Sequence, residues 1–364
     1  MKSTLSLKEQ TGQMLITGFE GTALNPRIED LILNRRVGGV ILFERNFETP
    51  GQLRHMIQDL QALAQSVSPH LPLFITVDQE GGRVSRLKAP FTLFPPPCCL
   101  GRSRSESLAR RFGRALGREL RAVGINTDYA PVLDVNTHSA NPIIGERALS
   151  DDPHWTAKLG ASFIRGMKEA GVLSVGKHFP GHGDTGEDSH LTLPTVGREA
   201  ASLERVELIP FAAGIEQGLD FMMTAHVIFR AWDEKYPATF SQKILQGILR
   251  QKLGFKGLIV SDDLEMKAVE DHLPFEDFPA LGIEAGLDLF MICHDTEKTR
   301  ALQDRMIQDI ENRRVDPGKV EASAGKIRAV KRGLPPAEEG FADLSVLAEN
   351  HRALVDEMKS HLEN

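Results

Sequence analysis

The chain has 364 residues, 41% hydrophobic and 26% charged, which suits a globular protein with one large barrel or two ordinary domains. Its net charge of -7 argues against a nucleic-acid partner, because a phosphate backbone is repelled by an acidic surface. The three cysteines, Cys98, Cys99 and Cys293, cannot all pair and form no CxxC motif, so neither a disulfide framework nor a thiolate zinc site is indicated.

Targeting and membrane signals are missing from the sequence. The first ten residues carry charge early and lack the apolar segment of a secretory signal. No apolar run of about eighteen residues, the length of a membrane-spanning helix, follows. We therefore predict a reduced, cytoplasmic protein with no membrane partner, and we expect a monomer.

Short apolar runs alternate with amphipathic segments along the chain. The runs predict strands at Met14–Thr17, Gly39–Phe43, Phe74–Val77, Asn126–Val135, Val172–Gly176, Phe221–Ala225, Leu258–Val260 and Leu287–Ile292. The segments between them predict helices at Gln52–Gln65, Ser105–Val123, Pro153–Ala170, Leu203–Gln217, Ser241–Leu253 and Pro274–Ala285. Such alternation is typical of a parallel sheet covered by helices.

Eight strand–helix units predict an α/β fold, a (β/α)8 TIM-like barrel, in a single domain. A doubly wound open sheet is the alternative, but no GxGxxG motif opens the first helix. We assign residues 1–333 to the catalytic barrel and residues 334–364 to a short C-terminal helical tail, which holds a charged amphipathic segment from Phe341 to Leu362.

Polar residues follow five of the predicted strands: Asp78, Asp134, Lys177, His226 and Asp262. In a barrel these strand ends converge on one rim, where catalytic groups lie. An aspartate after a strand can instead cap the next helix, and this alternative stays open, more so for Asp263 than for Asp262.

The segment Lys177–His190 holds three histidines, two aspartates, a glutamate and a lysine. Its proline and glycines are incompatible with a stable helix, so we predict a loop at the end of a buried strand. A loop so rich in titratable groups is typical of an active site, although any single histidine could be structural.

These residues suit an attack on a carbon centre. A carboxylate can form a covalent intermediate if another group protonates the leaving oxygen, and Asp262 is our candidate nucleophile. The acid could be a carboxylic acid or a histidine. Asp188 and His190 point the same way in an extended loop, so Asp188 could hydrogen-bond His190 and fix its tautomer.

Five motifs resemble glycoside hydrolase family 3, specifically its β-N-acetylglucosaminidases. They are VDQEGGR at Val77–Arg83, DYAPVLD at Asp128–Asp134, IGER at Ile144–Arg147, KHFPGHGxTxxDSH at Lys177–His190 and VSDDLEM at Val260–Met266. The resemblance spans roughly Glu9 to Arg332. It implies that Asp262 is the nucleophile of a retaining hydrolase, that His190 is the acid/base, and that Asp188 is the partner of His190.

The resemblance also implies a sugar-binding set and a substrate. The binding residues are Asp78, Arg86, Arg147, Lys177 and His178, and strand position places Asp134 and His226 beside them. The implied partner is an amino-sugar glycoside, with no cofactor and no metal. Many members carry a second domain, for which this chain is too short. The compact form resembles cell-wall-recycling enzymes that release N-acetylglucosamine from 1,6-anhydro-N-acetylmuramoyl fragments.

Three other functions stay open. A metal-dependent hydrolase could use His178, His182, His190, His226 and Asp262, although such barrels usually place an HxH pair on the first strand, and the first two predicted strands have no histidine. A non-catalytic sugar-binding barrel is the second. The third is phosphorolysis, because a neutral histidine does not repel phosphate as a carboxylate would.

Overall fold

The strands build one closed barrel and two small sheets. The computed structural model describes residues 5–186, 192–335 and 344–362. Its strands are β1 (Leu15–Thr17), β2 (Gly39–Leu42), β3 (Phe74–Val77), β4 (Gln79–Gly81), β5 (Val84–Ser85), β6 (Thr127–Asp128), β7 (Leu173–Phe179), β8 (Thr195–Val196), β9 (Phe221–Thr224), β10 (Ile228–Phe229), β11 (Leu258–Asp263) and β12 (Leu289–Ile292). The barrel order is β1-β12-β11-β9-β7-β6-β3-β2, and its pairings are parallel. The predicted TIM-like barrel is confirmed.

Helices follow the barrel strands. They are α1 (Leu7–Gln13), α2 (Pro26–Leu33), α3 (Pro50–Gln65), α4 (Cys98–Ser103), α5 (Glu106–Val123), α6 (Pro153–Glu169), α7 (Ala200–Val206), α8 (Leu208–Glu216), α9 (Lys267–Glu270), α10 (Phe278–Ala285), α11 (Thr296–Glu311), α12 (Pro317–Arg332) and α13 (Leu344–Ser360). A π-helix, Lys243–Lys252, lies between β10 and β11, and 3-10 turns lie at Glu44–Asn46, Gly145–Arg147, Ala238–Phe240 and Phe275–Asp277.

One start signal recurs among these helices. A residue with a capping oxygen precedes a proline at Asn25–Pro26, Thr49–Pro50, Asp152–Pro153 and Asp316–Pro317. The side-chain oxygen accepts a hydrogen bond from a free backbone N–H of the first turn. The proline has no N–H, so it leaves no donor there without a partner. These pairs therefore fix where four of the helices begin.

The barrel has an apolar floor and a polar rim. At its amino-terminal end, the rings of Phe74 and Phe221 pack edge to face with centroids 5.2 Å apart. Both side chains are buried. Because apolar side chains fill this end, the polar residues that follow the strands gather at the carboxyl-terminal end.

The predicted strand Asn126–Val135 is wrong over most of its length. Only Thr127–Asp128 is a strand, and beyond it the chain follows β7 irregularly, with a single bridge between Val132 and Lys177. Pro131 lies in this stretch and has no N–H for the ladder, so a regular strand cannot continue through it.

Two predicted helices also differ from the observed ones. Leu203–Gln217 is divided into α7 and α8 at Glu207, because Pro210 cannot donate to the carbonyl of Val206 and its ring clashes there. Pro274–Ala285 begins with the 3-10 turn and becomes α10 only at Phe278.

The C-terminal helix α13 packs against α5 and α4 on the outside of the barrel. It covers most of the amphipathic segment predicted from Phe341, and residues 336–343 lie outside the described residues. The division into a barrel at 1–333 and a tail at 334–364 stays a prediction. None of the helices in the described part of the chain is long and apolar enough to cross a membrane.

Candidate active site

A cavity of about 260 Å³ opens at the carboxyl-terminal rim of the barrel. Six side chains that were selected from the sequence line it: Asp78, Arg86, Arg147, Lys177, His178 and Asp262. They come from different parts of the chain, since only Lys177 and His178 share a strand, and closure of the barrel brings them together. The structure thus places these residues in one site, while their individual roles stay predictions.

Two further predicted residues lie behind this surface. Asp134 and His226 are buried and are not among the described residues that line the cavity. His226 Nδ1 is hydrogen-bonded to the Thr239 hydroxyl at 2.7 Å, and its Nε2 donates to the Asp263 carbonyl at 3.0 Å. Asp134 and His226 therefore support residues of the cavity wall.

Irregular pairing in two strands turns adjacent residues towards the cavity. In β7, Gly176 pairs with Met222 and Phe179 with Thr224, so one extra residue is inserted. Lys177 and His178 lie in this bulge and both line the cavity, and they belong to the strand rather than to the predicted loop. A regular strand would point them to opposite faces.

The second bulge lies in β11. Val260 pairs with Leu289 and Asp263 with Met291, which again leaves one extra residue. Within the bulge the Met291 N–H donates to the Ser261 hydroxyl at 3.0 Å. Asp262 and Asp263 both line the cavity as a result.

A network of four charged side chains forms one wall. Lys177 Nζ lies 2.7 Å from Asp78 Oδ1 and 2.6 Å from Glu80 Oε1. Arg147 donates to both oxygens of Glu80, from Nε at 2.9 Å and from Nη2 at 2.8 Å. Arg86 lies farther away, with Nη2 3.8 Å from Asp78 Oδ2. These ion pairs thus fix the side-chain orientations of Asp78, Lys177 and Arg147.

Glu80, Lys177 and Arg147 remain ionised although they are buried. Burial alone would raise the pKa of Glu80, but Arg147 and Lys177 lower it well below its usual range. Burial would lower the pKa of Lys177, but Asp78 and Glu80 raise it. Glu80 likewise raises the pKa of Arg147 against the effect of burial. Fixed charges of both signs therefore face the cavity at neutral pH.

Asp134 holds two histidines in place. Its Oδ2 accepts from His178 Nδ1 at 2.7 Å, and its Oδ1 accepts from the backbone N–H groups of His178 at 3.0 Å and His182 at 2.7 Å. Burial would raise the pKa of Asp134, but His178 and His182 lower it overall. Burial and the neighbouring His178 lower the pKa of His182 to about 4, so His182 is neutral at physiological pH.

The electrostatic surroundings of Asp262 keep it ionised. Burial would raise its pKa, but His178 and His226 lower it, together with the N–H of Asp263, which donates to Asp262 Oδ1 at 2.8 Å. Asp262 is partly exposed to the cavity. It therefore combines a charged carboxylate with access to a ligand.

Asp263 has the opposite character. Burial, followed by the charges of Glu265 and Asp262, raises its pKa to about 7. Its Oδ1 accepts from the N–H groups of Glu265 at 3.1 Å and Cys293 at 3.3 Å, so it holds the turn after β11 against the end of β12. Asp263 does not cap the next helix, because the residue that precedes α9 is Met266.

Sequence reasoning missed several residues of the site. Glu80, the centre of the charged network, belongs to the VDQEGGR motif but is not among the predicted site residues. It lies two residues from Asp78, so in an extended segment both carboxylates point to the same side, and this spacing could have identified it. Phe43 and His294 also line the cavity, with ring centroids 5.3 Å apart, and neither carries a sequence signal of that kind.

The predicted acid/base pair cannot be placed. Asp188 and His190 lie outside the described residues. The described part of the same loop ends at Gly186, and Thr185 in that part is hydrogen-bonded to His182 Nδ1 at 2.7 Å. The roles of Asp188 and His190 stay predictions.

The metal-dependent alternative gains no support from the described residues. Within 5–186, 192–335 and 344–362, no group of three or more His, Cys, Asp or Glu side chains is arranged to hold a metal ion. His178 is directed to Asp134, and His182 to Thr185.

Comparisons with known proteins agree on one family. The model of the glycosyl hydrolase family 3 N terminal domain matches residues 6–330. The beta-hexosaminidase of Alkalilimnicola ehrlichii is 40% identical over 294 residues, which are 79% of this chain and 82% of that protein.

Two solved structures share the fold and much of the sequence. A glycoside hydrolase family 3 beta-N-acetylglucosaminidase from Paenibacillus sp. superimposes with a TM-score of 0.93 at 37% identity, covering 98% of this chain and 69% of that chain. NagZ from Neisseria gonorrhoeae, in complex with N-trifluoroacetyl-D-glucosamine, gives a TM-score of 0.77 at 30% identity, covering 96% of this chain and 97% of that one.

Proposed function

The chain belongs to glycosyl hydrolase family 3. We propose that it binds terminal β-linked N-acetylglucosamine in its rim cavity and hydrolyses the glycosidic bond with retention of configuration. One observation carries this proposal: the ionised Asp262 shares a cavity with Asp78, Arg147 and Lys177, and the buried Glu80 holds both of these cations. A nucleophile and a set of groups that can hold sugar hydroxyls therefore face the same space.

In the first half-reaction, a carboxylate oxygen of Asp262 attacks the anomeric carbon. The bond from that carbon to the aglycone oxygen breaks, and the leaving oxygen takes a proton from His190. The product is a covalent glycosyl-enzyme ester on Asp262. A low pKa suits Asp262 for this step, since only the carboxylate is nucleophilic.

In the second half-reaction, water attacks the same carbon and gives its proton to His190. The ester bond to Asp262 breaks, and two inversions leave the configuration of the sugar unchanged. Asp188 orients His190 and stabilises its charged form in this scheme, without itself transferring a proton.

The charged network provides a clamp for sugar hydroxyls. Asp78 accepts hydrogen bonds, Lys177, Arg147 and Arg86 donate them, and His178, whose Nδ1 donates to Asp134, offers its Nε2. A sugar lacking one hydroxyl would leave a buried charged group unpaired, so the clamp selects strongly against it.

Apolar side chains of the same cavity suit the methyl of an N-acetyl group. Ile41, Met223, Met266 and Met291 line the cavity beside the charged network. Such a surface accepts a methyl group without leaving polar atoms unpaired. The binding of N-trifluoroacetyl-D-glucosamine by the Neisseria relative supports an acetamido sugar as the ligand.

The family resemblance is the basis for a more specific proposal about the aglycone. We take it to be a 1,6-anhydro-N-acetylmuramoyl fragment of peptidoglycan, handled by a cytoplasmic monomer. The cysteines support a reducing compartment, since Cys98, Cys99 and Cys293 are all free. Cell fractionation tests the compartment, and light scattering of the purified protein tests the monomer.

The test of function is turnover of three substrates. We expect release of nitrophenol from an aryl β-N-acetylglucosaminide, little from the matching β-glucoside, and release of N-acetylglucosamine from its disaccharide with 1,6-anhydro-N-acetylmuramic acid. Each assay is run with and without phosphate. Formation of N-acetylglucosamine 1-phosphate would favour phosphorolysis, and an absence of turnover would favour a non-catalytic sugar-binding protein.

A further inference from the structure

The C-terminal helix α13 is joined to the rim of the barrel through one buried carboxylate. Glu119 on α5 accepts hydrogen bonds from the backbone N–H of Thr92 at 2.8 Å and from the Thr92 hydroxyl. The same carboxylate accepts from Nδ1 of His351 on α13 at 2.7 Å. Glu119 is 1% exposed and His351 7%, so solvent competes little for these hydrogen bonds.

Thr92 belongs to residues 86–97, which we call the rim segment and which lead from β5 to α4. His351 contacts this segment directly as well. The Phe94 ring packs between Phe112, with centroids 5.0 Å apart, and His351, with centroids 6.0 Å apart. Both polar and ring contacts therefore hold the rim segment against α5 and α13.

The rim segment in turn fixes the β4–β5 hairpin. The N–H of Gly82 donates to the carbonyl of Phe94 at 2.9 Å. A Cβ on Gly81 would lie 2.8 Å from the Pro95 carbonyl oxygen, and a Cβ on Gly82 would lie 2.8 Å from Pro96 Cα. Backbone lies against backbone at this point, so a displacement of the rim segment would be transmitted to the hairpin.

The hairpin carries Glu80, which holds the two cations of the sugar clamp. Glu80 is directly before Gly81 and lies 2.6 Å from Lys177 Nζ and 2.8 Å from Arg147 Nη2. A continuous set of contacts thus leads from α13 to the cavity. We propose that His351 is a positioning residue for sugar binding, acting through Glu119 and the rim segment on Glu80. This inference rests on the proposed function of the cavity.

The test compares two substitutions of His351 with a matched control. His351→Leu removes the donor to Glu119, whereas His351→Asn keeps an N–H donor near the position of Nδ1. Glu357→Gln is the control, because it weakens another contact between α13 and α5, that of Glu357 with Arg111 at 2.5 Å, without touching Glu119.

We expect His351→Leu to raise KM for an aryl β-N-acetylglucosaminide by about three- to tenfold, which lies within the roughly two- to thirtyfold effect of removing a coupled contact. The change in kcat should stay below about twofold, because the clamp acts on binding rather than on the attacking group. His351→Asn and Glu357→Gln should keep a KM close to that of the wild type.

Hydrogen exchange gives a readout that does not depend on activity. Amides of residues 78–97 should exchange faster in His351→Leu than in Glu357→Gln. If His351→Leu fails to fold, Thr92→Val tests the other end of the same bridge and should raise KM likewise.

Three results would overturn the inference: an unchanged KM in His351→Leu and Thr92→Val, an equal rise of KM in Glu357→Gln, or unchanged exchange in residues 78–97. An inactive wild-type protein would instead refute the proposed function, and the exchange data would then decide whether α13 positions the hairpin.

Discussion

Two neighbouring aspartates have opposite properties in this site. The pKa of Asp262 is lowered by His178 and His226 against the effect of burial, whereas burial raises the pKa of Asp263 to about 7. Asp262 has a free approach to the cavity, while Asp263 accepts two backbone hydrogen bonds. Environment, rather than sequence position, therefore separates a reactive carboxylate from a structural one.

We predict that Asp262→Asn lowers kcat by at least about 10³-fold, because the amide cannot form the glycosyl ester. Asp263→Asn should retain far more activity, since an amide oxygen can still accept from Glu265 and Cys293. Steady-state kinetics on an aryl β-N-acetylglucosaminide measures both. An active Asp262→Asn beside an inactive Asp263→Asn would assign the nucleophile to the other residue.

The acid/base assignment predicts a dependence on the leaving group. A nitrophenolate departs with little help, whereas a sugar alkoxide needs a proton. His190→Ala should therefore lose more activity on a natural disaccharide than on an aryl glycoside, and Asp188→Ala should show the same pattern more weakly. Equal losses of kcat/KM on both substrates in His190→Ala would mean that the histidine acts in binding or folding.

At the level of residues, the sequence predicts which side chains lie in the site better than it predicts the hydrogen bonds and ion pairs between them. Asp78, Lys177 and Asp262 could be selected because each follows an apolar run, and such strand ends converge in a barrel. The ion pairs of Glu80 could not be predicted, because one of its partners, Arg147, lies 67 residues away in the sequence. Only the folded chain shows that the carboxylate bridges two cations.

At the level of elements, the boundaries depend on local chemistry. A short, fully buried run such as Phe74–Val77 could be predicted to the residue. The two bulges in β7 and β11 could not, because an inserted residue leaves no pattern in a short apolar run. Pro131 and Pro210 were visible signals, and both mark places where the predicted element was too long.

The break between α7 and α8 buries a carboxyl group. Glu207 lies at the break, is 1% exposed, and has Arg198 Nη1 3.4 Å from its Oε1. Burial, followed by the charge of Asp134, raises the pKa of Glu207 to about 8. Its Oε2 has no hydrogen-bond partner among the described residues. The protonated form is therefore favoured in the folded protein.

This shift predicts how stability depends on pH. The folded pKa of Glu207, about 8, lies above the value of 4.5 expected for the unfolded chain. Its contribution to the free energy of unfolding is thus fully present below the unfolded pKa and is lost as pH rises through the folded pKa. Glu207→Gln resembles the protonated side chain and should not lose that contribution.

We expect the melting temperature of Glu207→Gln to match that of the wild type near pH 5 and to exceed it at pH 8.5, by roughly 3 °C. Calorimetry over this pH range measures the difference. Glu204→Gln on α7 is the control, since Glu204 is partly exposed and paired with Lys252 at the surface. A constant difference between Glu207→Gln and the wild type at all pH values would contradict the predicted shift.

At the scale of the molecule, the barrel gathers residues from distant parts of the chain into one site. The fold could be predicted because eight strand patterns recur with helix patterns between them, and closure then determines which strand ends meet. The contribution of α13 could not be predicted in this way. Its amphipathic pattern indicates a packed helix, but not that His351 would share a carboxylate with the rim segment.

The covalent glycosyl-enzyme is the central claim, and trapping it is the most direct test. A 5-fluoro donor of N-acetylglucosamine forms the ester faster than water removes it, because fluorine destabilises the oxocarbenium-like transition state and a good leaving group speeds only the first step. We predict that mass spectrometry finds the protein heavier by one glycosyl unit, with the label on the peptide that contains Asp262. A label on another carboxylate, or consumption of the donor with no labelled protein, would contradict the account.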